Sequence, residues 1–371
     1  MFRRNNLTLA VDFLISSIDN SSNGSAAAYS RVKYPLSGWS PPYPETTGYI
    51  IPTLFEAASI LKNKESYNSA IRMAEWLLSI QYDDGAFPGG VYVSGKELDK
   101  SIFNTAQIII GLISAYNKTN DTKYKTAYIK AAHWLVSVQE DDGVWVKHNY
   151  NGDFFPSYYT RVAWPILMVG TKCENQVLID AAVKTLDLIL ARRQSNQFIS
   201  DSGFKANSYA FLHTIAYTIR GFLEASLLID SKDYYKVAYG LSKKLFRYFE
   251  LKGSLGGAYY EDFKRVDWYR CLTGEAQMAI IWLKLFNKTN DIRYLNVSTK
   301  ILDQTCATQP TQDSLLLKAG GLKGSQPYYG KYLMFRQPNW ATKFLADAIM
   351  LEETCYKKIN KLESHSNSRS Y

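Results

Sequence analysis

Glu45 is the residue in this chain best suited to proton transfer. It lies between a proline-rich stretch, Pro41-Pro42-Tyr43-Pro44, and an apolar run that starts near Gly48. A carboxyl at such a boundary loses water, which raises its proton affinity into the range useful to an acid or base. A first-turn acid favoured by a helix dipole would occupy the same place. His213, one of four histidines, heads another apolar run, where it serves either proton transfer or a satisfied core contact. Arg161 heads a third. Its guanidinium suits bidentate pairing with a substrate carboxylate, or with a buried acid such as Glu45. Tyr217 and Tyr49 are the hydroxyls best placed to assist. These residues make Glu45, His213, Arg161 and Tyr217 the catalytic candidates.

Each sits in a polar string at the start of an otherwise apolar segment. Asn104, Gln277 and Asn339 suit hydrogen bonds to sugar hydroxyls, and Trp39 and Trp340 suit stacking on an apolar sugar face. Tyr43, Tyr49 and Tyr159 complete the binding candidates. Thr47, Thr105, Thr160, Thr214, Thr273 and Asn339 read as helix N-caps. Hydrolysis by paired carboxylates would need a second acid, for which Asp153, Asp201 and Glu275 are the candidates. The Asp83-Asp84-Gly85 and Asp141-Asp142-Gly143 turns read as ordinary turn chemistry. No His or Cys clusters with them, so neither a metal site nor a cofactor is expected. Nucleophile-elbow, P-loop and dinucleotide fingerprints are missing from the sequence.

A repeat of about 57 residues sets the frame for these strings. Trp76-Leu-Leu-Ser-Ile-Gln81 with Asp84-Gly85 returns as Trp134-Leu-Val-Ser-Val-Gln139 with Asp142-Gly143. Asn117-Lys-Thr-Asn-Asp121 returns as Asn287-Lys-Thr-Asn-Asp291. Each unit reads as two helices, one amphipathic and one apolar all round, so the second is buried on every side. Six amphipathic helices are expected near 5–18, 65–81, 122–139, 174–193, 232–250 and 291–307. Six apolar ones are expected near 47–62, 102–116, 158–170, 211–229, 272–286 and 338–355. Alternation of this kind predicts two concentric rings. The links into the apolar helices are long, so all of them fall on one face, together with six helix N-termini whose field favours an anion.

Residues 1–356 are expected to form one such domain, with 357–371 a polar, frayed tail. The chain has 371 residues, 46% hydrophobic, with 28 Tyr and 8 Trp, enough for a continuous core and an aromatic cleft. The net charge of +9 comes without a dense basic run, which argues against nucleic acid and for an anionic small molecule or glycan. No stretch reaches the roughly 18 apolar residues of a membrane span. The four cysteines form no CxxC, and the N-terminus lacks a clear cleavage site, so a reduced cytoplasmic setting is expected.

The alternating helices resemble the six-hairpin, (α/α)6-toroid enzymes, most of which act on carbohydrates. More narrowly, the strings Tyr43-Pro-Glu-Thr-Thr-Gly-Tyr, Phe103-Asn-Thr-Ala-Gln107, Thr160-Arg-Val-Ala-Trp164, His213-Thr-Ile-Ala-Tyr217, Leu272-Thr-Gly-Glu-Ala-Gln277 and Pro338-Asn-Trp-Ala-Thr342 resemble the bacterial VpsJ-type polysaccharide-biosynthesis family. Ala106 stands where that family commonly has Gly, and Glu275 where it commonly has Asn. The resemblance implies an all-α toroid that acts on a glycan in surface or exopolysaccharide production; the net charge, the helix N-termini and Arg161 point to an acidic, uronate-containing one. Glycosidic cleavage by a hydrolase or lyase, or uronate C5 epimerisation, all fit, with partners in a biosynthetic complex. A non-catalytic glycan-binding subunit is the alternative. A terpenoid-cyclase-like toroid would need an acidic pair above an apolar cavity.

Overall fold

The computed structural model describes residues 2–21, 25–26, 29–31 and 38–367. Twelve helices run through the described residues. The outer set is α1 (Arg4–Asp19), α3 (Lys64–Ser79), α5 (Thr122–Ser137), α7 (Gln176–Leu190), α9 (Lys232–Lys252) and α11 (Ile292–Cys306). The inner set is α2 (Pro44–Leu61), α4 (Ile102–Thr119), α6 (Thr160–Lys172), α8 (Leu212–Leu228), α10 (Leu272–Thr289) and α12 (Asn339–Asn367). Each inner helix packs on the next, and α12 returns to α2, which closes the ring. The fold is an (α/α)6 toroid.

The hairpins turn in one way throughout. Every inner-to-outer link holds a residue in the left-handed region: Lys62, Asn120, Glu174, Asp230 and Asn290. An N-cap follows it directly, from Asn63, Asp121, Asn175, Ser231 or Asp291, each of whose side chains accepts from a backbone N–H of the next helix. This explains the repeated Lys-Thr-Asn-Asp string: Asn takes the positive φ and Asp caps. The other repeated string ties neighbouring outer helices together. Gln81 Nε2 donates to the Gly85 and Ala127 carbonyls, both at 3.0 Å. Gln139 does the same with Gly143 and Ala181. Asp84 and Asp142 accept from the backbone two residues on, so both Asp-Gly turns are structural.

Inner helices approach most closely where glycine removes the side chain. A Cβ on Gly111 of α4 would lie 2.2 Å from the Gly48 carbonyl oxygen of α2. The long links carry eight short strands among the described residues, an addition to the all-helical expectation. β1 (Tyr29–Arg31) pairs antiparallel with both β2 (Gly38–Trp39) and β8 (Arg336–Pro338), and so joins the first link to the last. β3 (Ala210–Phe211), β4 (Ala258–Tyr259) and β5 (Arg265–Val266) form a second sheet, and β6 (Arg270–Cys271) pairs with β7 (Ser325–Gln326). Strands of two or three residues are too short to show alternation in sequence.

Two expectations about helix ends need correction. The caps of α2, α4, α6, α8 and α10 are Tyr43, Ser101, Tyr159, Phe211 and Cys271, not the threonines. Thr47, Thr105 and Thr342 lie within the first turn of their helices. There they accept the backbone N–H of Ala26, Phe87 and Leu322, anchoring each long link to its inner helix. Helix α12 continues to Asn367, past the expected boundary at 357, because neither Gly nor Pro interrupts it. Residues 368–371 of that tail lie outside the described residues.

Candidate active site

A cleft of 420 Å³ opens among the long links, above the N-terminal ends of the inner helices. Glu45, in the first turn of α2, reaches it because Pro44 occupies the first helical position, where its fixed φ suits the helix. Glu45 is 8% exposed. Burial pushes its carboxyl up to about 7, against the lowering effects of the Tyr43 phenol hydrogen bond and of the Arg161 charge. His213, the second residue of α8, also lines the cleft and is 5% exposed. Its Nδ1 lies 2.8 Å from Gln277 Oε1. With Oε1 accepting, that bond assigns the proton to Nδ1 and leaves Nε2 as a free base. Burial brings His213 down to about 4; the Gln277 bond opposes this and Arg161 adds to it.

The usual order of proton affinities is thereby inverted. In water an imidazole holds a proton more tightly than a carboxyl. Here Glu45 holds it more tightly than His213. Between about pH 4 and about pH 7 the cleft therefore offers a carboxylic acid and a neutral imidazole together. Among the described residues Glu45 is the one carboxylate lining the cleft. The candidate second acids lie elsewhere. Glu275 is fully buried in a bidentate pair with Arg270, at 2.6 and 2.5 Å, and accepts from Thr305. Asp201 faces Arg192 at 3.5 Å, and Asp153 is exposed on the long link. The acidic pair that a terpenoid cyclase would require is not assembled among these residues. The Cys271 thiol is pushed up to about 12 by burial, which leaves it unsuited to act as a nucleophile.

Of the other candidates, Tyr43, Tyr49, Tyr159, Tyr217 and Trp340 line the cleft. Tyr49 and Tyr217 hydrogen-bond to each other, and burial holds both phenols protonated. Trp340 donates from Nε1 to Tyr332 at 2.9 Å and meets Tyr43 edge-on at 6.3 Å. Tyr159 donates to Asn149 at 2.6 Å. The remaining polar candidates stand behind the lining. Gln277 orients His213, Asn104 donates to the Pro88 carbonyl at 2.9 Å, and Asn339 donates to Thr46 at 3.1 Å. Trp39 packs on Phe13 at 5.1 Å rather than lining the cleft.

Arg161 also lies outside the cleft. It is 3% exposed, donates to Gln107 Oε1 at 2.7 Å, and lines a separate chamber further along the ring axis. Among the described residues, Lys331, exposed at the rim, is the lysine or arginine that lines the cleft. The long links supply further lining residues that the helix starts did not reveal: Tyr150, Asn151, Phe204, Lys331 and Tyr332. For all but Phe204, the aromatic density of 150–159 and 328–335 is the signal in the sequence.

The chain is similar in structure to several solved proteins along nearly its whole length. A sugar epimerase from a ruminal bacterium aligns with a TM-score of 0.76 at 12% identity, over 94% of this chain and 97% of that one. Cellobiose 2-epimerase from Bacillus thermoamylovorans aligns at 0.72 and 14% identity, over 93% and 97%. An unsaturated glucuronyl hydrolase specific for heparin aligns at 0.70 and 15% identity, over 96% and 97%. At such identities the likeness establishes the toroid fold. No protein-family model matches the chain, and no curated protein matches it in sequence.

Proposed function

We propose that this protein is a carbohydrate-active enzyme that moves a proton at a sugar carbon next to a carboxyl or carbonyl group. The single observation that carries this reading is that one cleft is lined by a buried carboxyl, Glu45, and a buried imidazole, His213, with burial pushing the first up to about 7 and the second down to about 4. Paired-carboxylate hydrolysis is disfavoured because, among the described residues, Glu45 has no second carboxylate beside it in the lining. The aromatic walls suit the apolar faces of sugar rings. The resemblance of the helix-start strings supports a role in surface or exopolysaccharide production, and the net charge of +9 supports an acidic glycan.

In this reaction His213 Nε2 takes the C5 proton of a uronate, and the electron pair passes into the sugar carboxyl group. Lys331 offsets the developing charge, and an anionic substrate beside His213 raises the basicity of the imidazole. Epimerisation is completed when Glu45 returns its proton to the opposite face of C5. In β-elimination the pair instead returns to form the C4–C5 double bond, the C4–O bond breaks, and Glu45 protonates the departing oxygen. Sugar epimerases and a glucuronyl hydrolase among the structural neighbours support a toroid frame for such substrates.

Incubation in heavy water with a panel of uronate-containing and neutral glycans tests the proposal. Solvent deuterium at the carbon beside the carboxyl or carbonyl, or an unsaturated uronate, is expected from the wild type and lost in Glu45→Gln and His213→Asn. New reducing ends without either signal would refute proton transfer at carbon and restore hydrolysis. Binding without any reaction would favour the non-catalytic glycan-binding reading, which the aromatic lining also suits.

A further inference from the structure

A second cavity of 290 Å³ lies on the ring axis, behind the cleft. Every inner helix contributes to it, through Glu56, Ile110, Arg161, Arg220, Lys284 and Asp347 among others. An aromatic floor separates the two spaces. Tyr49 faces both, stacked on Phe344 at 5.9 Å, and Tyr217 meets Phe344 edge-on. Arg161 Cζ lies 4.8 Å from the Tyr217 ring, and Lys343 Nζ lies 4.6 Å from Phe344.

Four cations line this chamber: Arg161, Arg220, Lys284 and Lys343. Their carboxylates are already shared out. Lys343 pairs with Asp347, which also accepts from Thr53 at 2.7 Å. Arg220 and Lys284 share one oxygen of Glu224, at 2.5 and 2.7 Å. Glu56 stands at the solvent rim. Arg161 is left with the neutral Gln107; among the described residues it is in no ion pair, and its buried Nε has no acceptor. The rings of Trp164 and Tyr217 flank the guanidinium, but they are not a counter-charge. A buried cation without one is costly, and an anion in the chamber would supply it. Helix dipoles do not account for the cluster either. Arg161 and Lys343 lie in the first two turns of α6 and α12, where the dipole disfavours cations. Lys284 and Lys343 both have their proton affinity lowered, by burial first and in part by the neighbouring arginines.

We propose that this axial chamber is an anion-binding site, distinct from the cleft, that takes phosphate or the phosphate group of a small metabolite. Arg161 supplies the unpaired charge and open N–H, while Arg220, Lys284 and Lys343 surround it. The assignment does not depend on the reaction proposed for the cleft.

Inorganic phosphate is the probe. At constant ionic strength, with chloride as the balancing anion, phosphate should raise the unfolding temperature of the full chain saturably. It should also change Trp164 emission, since that indole lies 4.8 Å from Arg161 Cζ and 5.6 Å from Arg220 Cζ. Arg161→Met should be more stable than wild type without phosphate and lose the phosphate response, and Lys284→Met should weaken binding at least tenfold. A wild-type response to phosphate no larger than to chloride overturns the proposal, as does an undiminished response in Arg161→Met. If Arg161→Met fails to fold, the Trp164 signal, identified by its loss in Trp164→Phe, decides the matter in the wild type alone. A glucose phosphate binding more tightly than inorganic phosphate would assign the site to a phosphorylated metabolite; equal or weaker binding would assign it to the free ion.

Discussion

Replacing Glu45 by Gln should stabilise the protein at alkaline pH and hardly change it at acid pH. Folding raises the Glu45 carboxyl from its ordinary 4.5 to about 7, through burial. Between those values the folded protein holds a proton that the unfolded chain has released, so stability falls as pH rises. The contribution is fully present below about 4.5 and gone once pH passes about 7. At about 1.4 kcal/mol per tenfold change in proton affinity, the wild type loses about 3 kcal/mol across that window. The substituted amide keeps a carbonyl oxygen for the Tyr43 phenol but has no charge to bury, so the variant should not show this loss. Urea denaturation of both proteins from pH 4 to pH 8.5 measures the difference directly. Glu45→Gln should gain about 3 kcal/mol on the wild type from the acid to the alkaline end. A difference that stays flat with pH would mean that Glu45 titrates like an exposed carboxyl, and the inverted pair would not exist. Such a gain in stability, paired with loss of function, is what a residue kept for chemistry shows.

His213 should remain a neutral imidazole protonated on Nδ1 from pH 8 down to about 4. Its folded value lies below the ordinary 6.5, so its stability contribution is present above 6.5 and lost as pH falls toward 4. Nitrogen-15 NMR across that range checks this, and a midpoint near 6.5 would contradict it. Glu275→Gln should cost about 3–5 kcal/mol by chemical denaturation, because it leaves Arg270 half-buried without its bidentate partner. A cost below about 1 kcal/mol would show that the pair is solvated. Gly111→Ala should lower stability by about 1–3 kcal/mol, since the new methyl meets the Gly48 carbonyl; an unchanged unfolding temperature would argue against so close an α2–α4 crossing.

The two rings are legible in the sequence because they rest on local chemistry. Asn120 and Asn290 accept a left-handed backbone, Asp121 and Asp291 cap the next helix, and the apolar helices can be stable only when buried on all sides. That same logic put every long link, and with them Glu45 and His213, on one face. The depth of each side chain was less accessible. Arg161, Glu45 and His213 all occur within two residues of a helix start, yet Arg161 lies beyond the floor formed by Tyr49, Tyr217 and Phe344. Helix rotation and axial height decide that, and both follow from contacts such as Thr160 of α6 on Gly221 of α8.

Local periodicity and turn chemistry thus carry the toroid, its handful of hinge residues and the face that bears the site, since each depends on residues a few positions apart. Tertiary structure alone decides which polar groups share a space and how water is kept from them. It joins Tyr29–Arg31 to Arg336–Pro338, brings Gln277 to His213, and withdraws Arg161 into the axial chamber. Proton affinities follow from those placements, because desolvation depends on everything packed around a group, most of which lies outside its own segment.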